Sequence, residues 1–301
     1  MKTRVHGARL LLSAGTAVTL AIGMLAVGQT AYAAGPTSVG LGTADGFAVL
    51  AGTGITNTGA TTITGDVGSY ATPSETGFAT VVLTGTNHAG DSVTQGAKSD
   101  LVTAYNDAAG RTPSTAVAAG ALGGKTLVAG VYNAGSSKFD LTGTLTLDGQ
   151  NDPNSVWVFQ APSSLITAKS SSVKLIRGAS SCNVFWQVTS SATLGSGSTF
   201  MGTITALTSI TVASGVTVHG RALARNGDVT LISDTITTTC STSSIASASA
   251  SPGQTTTPPP TSLVSAPLSN NSTPLFGLLI CLAFGGLGVV AVEAQRRRSR
   301  S

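Results

Sequence analysis

Three short segments of this chain can be laid over one another. Ser191-Ala192-Thr193-Leu194, Ser209-Ile210-Thr211-Val212 and Asp228-Val229-Thr230-Leu231 begin 18 and 19 residues apart. A second series keeps step with the first: Ser198-Thr199-Phe200, Val216-Thr217-Val218 and Asp234-Thr235-Ile236, with Gly202 answering Gly220 and Ala206 answering Ala224. Eighteen residues hold three short strands and their turns, which is one coil of a β-solenoid, a unit that buries its apolar face only by stacking on the next. The first series extends backwards through Ser172-Val173-Lys174-Leu175 and Thr144-Leu145-Thr146-Leu147 at intervals of 19 and 28, the longer one marking an irregular coil. In each unit the second and fourth residues are apolar and the first and third are mostly hydroxylated, so strand alternation sends one pair inward and the other out. The expected core is Leu145, Leu147, Val173, Leu175, Leu194, Ile210, Val212, Val229 and Leu231, with Phe200, Val218 and Ile236 on another wall.

One segment departs from the β pattern. Between Asp91 and Ala109, positions Val93, Ala97, Leu101, Ala104, Tyr105 and Ala108 fall at helical spacing, and Gly110 with Thr112-Pro113 supplies a stop. The spacing predicts one amphipathic helix covering an apolar wall.

With 41% hydrophobic and only 9% charged residues the chain could be read as a membrane protein, but the unbroken apolar runs are terminal. Residues 1–33 have a basic start (Lys2, Arg4, Arg9), an apolar stretch from Leu10 to Val27 and the triplet Ala31-Tyr32-Ala33. This is the pattern of a secretory signal cut after Ala33; an uncut anchor is the alternative. Residues 34–240 form the folded domain. Residues 241–274 are rich in Ser, Thr and Pro, contain no charge, and read as an extended stalk. Residues 275–292 are an uncharged run long enough to span a bilayer, and the basic tail 293–301 (Arg296, Arg297, Arg298, Arg300) places that end in the cytoplasm. The expected arrangement is an exported domain anchored in the cell membrane by a C-terminal helix. No Leu-Pro-x-Thr-Gly motif precedes the span, which favours retention in the membrane over covalent attachment to a wall.

The formal charge of +4 resides in these ends. Between Ala34 and Cys240 nine Lys and Arg face eleven Asp and Glu, so nucleic acid is excluded as a partner for want of a clustered basic face. Catalysis has little to work with. Glu75 is the only Glu of the domain, its Asp residues sit in turn contexts such as Gly65-Asp66 and Asp148-Gly149, and no nucleophile elbow is present. His88 and His219 are far apart and read as solvated residues; neither a metal nor another cofactor is expected. Cys182 and Cys240 are the only cysteines of the domain. Export favours a disulfide between them, with two buried thiols as the alternative.

Several segments resemble a known family when read in order. They are Leu41-Gly42-Thr43-Ala44-Asp45-Gly46-Phe47-Ala48-Val49-Leu50-Ala51, Ile63-Thr64-Gly65-Asp66-Val67-Gly68, Ala104-Tyr105-Asn106-Asp107-Ala108-Ala109-Gly110-Arg111, Val156-Trp157-Val158-Phe159-Gln160, Cys182-Asn183-Val184-Phe185-Trp186-Gln187-Val188 and Gly220-Arg221-Ala222-Leu223-Ala224-Arg225-Asn226-Gly227. Together they are similar to the microbial ice-binding (antifreeze) proteins, over roughly residues 38–240. The resemblance implies a mostly β fold: a discontinuous right-handed β-helix of triangular section, its first strands pairing beside its last, with one long α-helix packed alongside. It implies a monomer whose partner is an ice surface.

The residues this assigns to ice are Thr144, Thr146, Ser191, Thr193, Ser209, Thr211 and Thr230, extended by Thr62 and Thr64 if the first strands insert beside the last coils; Thr53 is a further candidate. Lys174 and Asp228 interrupt the row, which implies moderate activity. Coils stack about 4.8 Å apart and alternate residues on a strand lie about 6.7 Å apart, so Thr doublets form a two-dimensional lattice of stiff, β-branched side chains. Thr is also simply a good residue for a solvated strand, and pattern alone leaves both readings open. The rival is an adhesin or spacer domain binding glycan or another envelope partner. Trp157 and Trp186, the only Trp residues, lie in apolar strands suited to a core rather than to a sugar platform.

Overall fold

The computed structural model describes residues 35–135, 137–240 and 242–243. The signal, stalk, membrane-span and tail expectations lie outside the described residues.

The strands form a 14-stranded and a 7-stranded sheet in which every paired strand is parallel. They fall into three ladders, visited in a fixed cyclic order by each coil. The first ladder runs Thr126–Val128, Thr144–Asp148, Ser172–Ile176, Thr199–Met201, Thr217–His219, Thr235–Thr237, Thr61–Thr64 and Val81–Thr84. The second runs from Thr115–Ala116 through Gly130–Asn133, Trp157–Ala161 and Val184–Val188 to Phe47–Ala51 and Asp66–Ser69. Two eight-residue strands, Thr199–Ala206 and Thr217–Ala224, pass through both. They turn the corner at Gly202 and Gly220, where a Cβ on Gly220 would stand 1.9 Å from the Gly202 carbonyl oxygen, a closeness only glycine permits. The third ladder runs Phe139–Leu141, Leu165–Thr167, Ala192–Leu194, Ile210–Val212, Val229–Ile232, Ile55–Thr58 and Glu75–Thr76.

Chain order is broken at one place in all three ladders. Phe47–Ala51 pairs with Thr217–Ala224, Ile55–Thr58 with Val229–Ile232, and Thr61–Thr64 with Thr235–Thr237. The N-terminal strands are thus seated against the C-terminal coil.

All the anticipated core residues are buried except Leu175, which is half-buried and packs against that core. Trp157 and Trp186 are buried too; Trp186 stacks on Phe159 at 4.0 Å between ring centres and its indole N–H donates to the Met201 carbonyl. That hydrogen bond is what lets an indole nitrogen enter an apolar interior without a desolvation penalty.

The helix, α1, spans Ser92–Ala109. The Asp91 carboxylate caps it by accepting from the Thr94 N–H at 2.9 Å. Its far end is closed by a side chain from the second ladder, as Gln160 Nε2 donates to the carbonyls of Ala108, Ala109 and Arg111. Ala97, Leu101, Ala104 and Ala108 form one buried cluster with Val158, Phe185 and Leu223. Val93 does not join them: it is exposed, and Thr94 takes the buried position at that turn. Lys98 is buried beside this cluster, its Nζ donating to the carbonyls of Ala224 and Arg225 at 2.6 and 2.5 Å.

Candidate functional site

From Phe139–Leu141 to Ile55–Thr58, each strand of the third ladder buries its first and third residues and turns its second outward. The inward residues Ala192, Leu194, Ile210, Val212, Val229, Leu231 and Ile55 are all fully buried, which fixes the outward positions rigidly. The strand register aligns those outward residues across five neighbouring strands: Thr193, Thr211, Thr230, Thr56 and Thr76. At about 4.8 Å per strand the five threonines span about 19 Å. Ile166 and Asp140 continue the row at one end, where the threonine pattern stops.

A second line of small residues runs beside this row. Backbone hydrogen bonds from Thr53 to Gly227, Gly227 to Thr208, Thr208 to Ser190 and Ser190 to Ser163 align the residues three positions earlier in each coil. Ser191 and Ser209, both half-buried, come between the two lines in chain order. In the sequence Asp228 interrupts the hydroxyl row. In the fold its carboxylate accepts from the Ser209 hydroxyl at 2.6 Å and the Thr230 hydroxyl at 3.2 Å, and the Ser209 bond holds its carboxyl below the usual range.

The nine residues singled out in the sequence do not share one face. Ser191, Thr193, Ser209, Thr211 and Thr230 belong to the third ladder, whereas Thr144, Thr146, Thr62 and Thr64 belong to the first. There Thr144, Ser172, Thr199, Thr217, Thr235 and Thr62 stand in register as six consecutive hydroxyl side chains. The unit Ser172–Leu175 pairs with Thr144–Leu147 and, at Ser172, with Thr199, not with Ser191–Leu194. Lys174 therefore interrupts the first ladder and not the third. Next to the six hydroxyls lie Thr146, Lys174, Met201, His219, Thr237 and Thr64, a line of uneven size and charge. A depression of about 450 Å³ opens there, lined in part by Lys174, Met201 and the returning residues Thr242 and Ser243.

Two residues that extend the third-ladder row, Thr56 and Thr76, went unread because they join it across the break in chain order. The signal was present: Thr53-Gly54-Ile55-Thr56 has the same shape as Thr208-Ser209-Ile210-Thr211.

One of the two histidines departs from the solvated reading that the sequence suggested for both. His219 is a half-exposed outward residue of the first ladder, but His88 lies between Asp66 at 3.4 Å and Asp91 at 3.0 Å, with Phe47 against its ring. Cys182 and Cys240 form a disulfide. Among the described residues no three His, Cys, Asp or Glu side chains converge as a metal site. A larger cavity of about 770 Å³, between residues 35–38 and 149–156, holds Asp152 as its one titratable side chain, too few for acid–base chemistry. No described helix is long and apolar enough to cross a membrane.

Comparison with known proteins places this geometry in a family. The Ice-binding-like family model matches residues 49–237. An ice-binding protein of Nostoc sp. (strain HG1) is 45% identical over 227 residues, 75% of this chain and 83% of that protein. One from Colwellia sp. is 42% identical over 142 residues, covering 46% of this chain and 54% of its own length. Among solved structures, an ice-binding protein from an Antarctic biological consortium superimposes with a TM-score of 0.67 at 43% identity, covering 68% of this chain and 93% of its own. The ice-binding protein of Antarctomyces psychrotrophicus does so with a TM-score of 0.64 at 44% identity, covering 67% and 98%.

Proposed function

The chain belongs to the ice-binding-like family, and from that premise we propose that it adsorbs to ice through the outward threonine row of its third ladder. The observation that carries the proposal is the in-register alignment of Thr193, Thr211, Thr230, Thr56 and Thr76, flanked by small residues and free of lysine and arginine. Ice presents a flat, periodic surface, and a partner gains from it only if many weak contacts are satisfied together. A rigid row does this with little further ordering cost, since β-branched side chains are stiff at χ1 and their strands are anchored by buried neighbours. Each threonine offers a methyl group and a hydroxyl, so the row excludes water at some points and holds it in place at others. No cofactor takes part, and the family is not an enzymatic one.

The reading includes a right-handed solenoid of triangular section acting as a single chain. It also includes export, and tethering to the cell membrane through the apolar run 275–292, supported by the signal-like start, the stalk composition and the basic tail. In that setting the protein holds the cell to ice or limits crystal growth at its surface.

A second reading uses the first ladder. The six registered hydroxyls from Thr144 to Thr62 favour it, with the sequence-selected Thr146 and Thr64 beside them; Lys174, Met201, His219 and the depression weigh against it.

Thermal hysteresis and ice-recrystallisation inhibition of the purified protein, with a heat-unfolded sample as control, test the function. Faceted crystals and slowed recrystallisation at micromolar protein are expected. Their absence from a folded sample would leave the adhesin or spacer reading in possession.

A further inference from the structure

The last described strand of the chain does not lie at an end of the stack. Thr235–Thr237 is held between Thr217–Ala224 on one side and the N-terminal strand Thr61–Thr64 on the other, so the last described strand fills the middle of a ladder. Strand ends fray unless tied down. Fraying here would unpair Thr61–Thr64, the strand that directly follows the one carrying Thr56.

The residues that follow tie it down at three points. The Thr238 N–H donates to the Thr64 carbonyl at 3.0 Å, joining the C-terminal strand to the inserted one. Cys240 is bonded to Cys182, 58 residues earlier. Beyond it, Thr242 bridges to Ser180 in antiparallel sense and the Ser243 N–H donates to the Ala179 carbonyl at 3.0 Å. Of these, the disulfide is the only covalent link, and Cys240 is exposed to reagents.

We propose that the Cys182–Cys240 disulfide and the residues around it form a clasp that keeps the inserted N-terminal strands seated, so that the five-threonine row is complete only while the disulfide is intact. With the clasp open, the row is cut between Thr230 and Thr56, leaving Thr193, Thr211 and Thr230. The consequence for ice rests on the function proposed above; the clasp itself does not. A dithiol opens it by exchange: two electrons and two protons pass to the cysteines, and the reagent leaves as its cyclic disulfide.

Hydrogen exchange read by mass spectrometry on the full chain tests this, in the oxidised form, after dithiothreitol, and in the C182A/C240A variant. Thiol titration, which should rise by two groups on reduction, verifies cleavage. The amides of residues 61–64 and 235–237 are expected to exchange at least about tenfold faster, those of 192–194 and 210–212 to stay as they were, and thermal hysteresis to fall at least about twofold. Unchanged exchange after verified reduction would overturn the clasp. So would a uniform rise over the whole domain, which would make the disulfide a general staple. If the variant fails to fold, reduction of the folded wild-type chain decides. Local loosening in a protein whose oxidised form shows no hysteresis would support the clasp and refute the ice reading.

Discussion

At the scale of single residues, position within a strand decides role more than residue type does. Ile210 and Thr211 are neighbours, yet one is fully buried and the other faces outward. Ile210→Ala should cost about 2–5 kcal/mol through lost burial and the cavity left behind, read from chemical denaturation. Lys98 carries a pH signature. Its ammonium is buried under α1 near Arg225, and burial lowers its pKa to about 8 from 10.5. The native state therefore releases this proton at lower pH than the unfolded chain, and stability must rise with pH between about 8 and 10.5. Relative to Lys98→Met, the wild type should gain on the order of 3 kcal/mol over that interval. A flat difference between the two proteins would show that the two carbonyl contacts hold the charged amine against burial.

At the scale of elements, the sequence conveyed the repeat and the helix but not the assignment of strands to ladders. The 18-residue period of the last coils reads directly, because coils of equal length keep their units in step. In the earlier coils the step lengthens: Ser172 is 28 residues after Thr144 and 27 before Thr199, its true partners. A step of 19 from Ser172 reaches Ser191, a unit with the same alternation on the next ladder but one. Period-two patterning says which side chains point inward and is silent about which wall they line. The helix was legible because 3.6-residue spacing differs from everything around it. Its closure was not, since it depends on Gln160, an amide 49 residues beyond Arg111. Gln160→Leu should fray the last turn of α1, raising hydrogen exchange over residues 105–109 and costing about 1–3 kcal/mol as three carbonyls lose their donor.

At the scale of the whole molecule, the break in chain order joins distant parts of the sequence into one surface. Thr56 and Thr76 complete a row begun by Thr193, Thr211 and Thr230 because the N-terminal strands lie against the C-terminal coil. The candidate surface was for that reason only partly legible: the C-terminal threonines follow from the repeat, whereas the N-terminal ones need the pairing. The central claim is that this row, and not the six-hydroxyl row of the first ladder, meets ice. The most direct test compares thermal hysteresis of Thr211→Tyr and Thr217→Tyr, two equal additions of bulk on outward positions of the two ladders, with circular dichroism to verify folding. Thr211→Tyr should lose hysteresis at least about fivefold while Thr217→Tyr keeps it. Full activity in folded Thr211→Tyr, with loss in Thr217→Tyr, would move the ice surface to the first ladder.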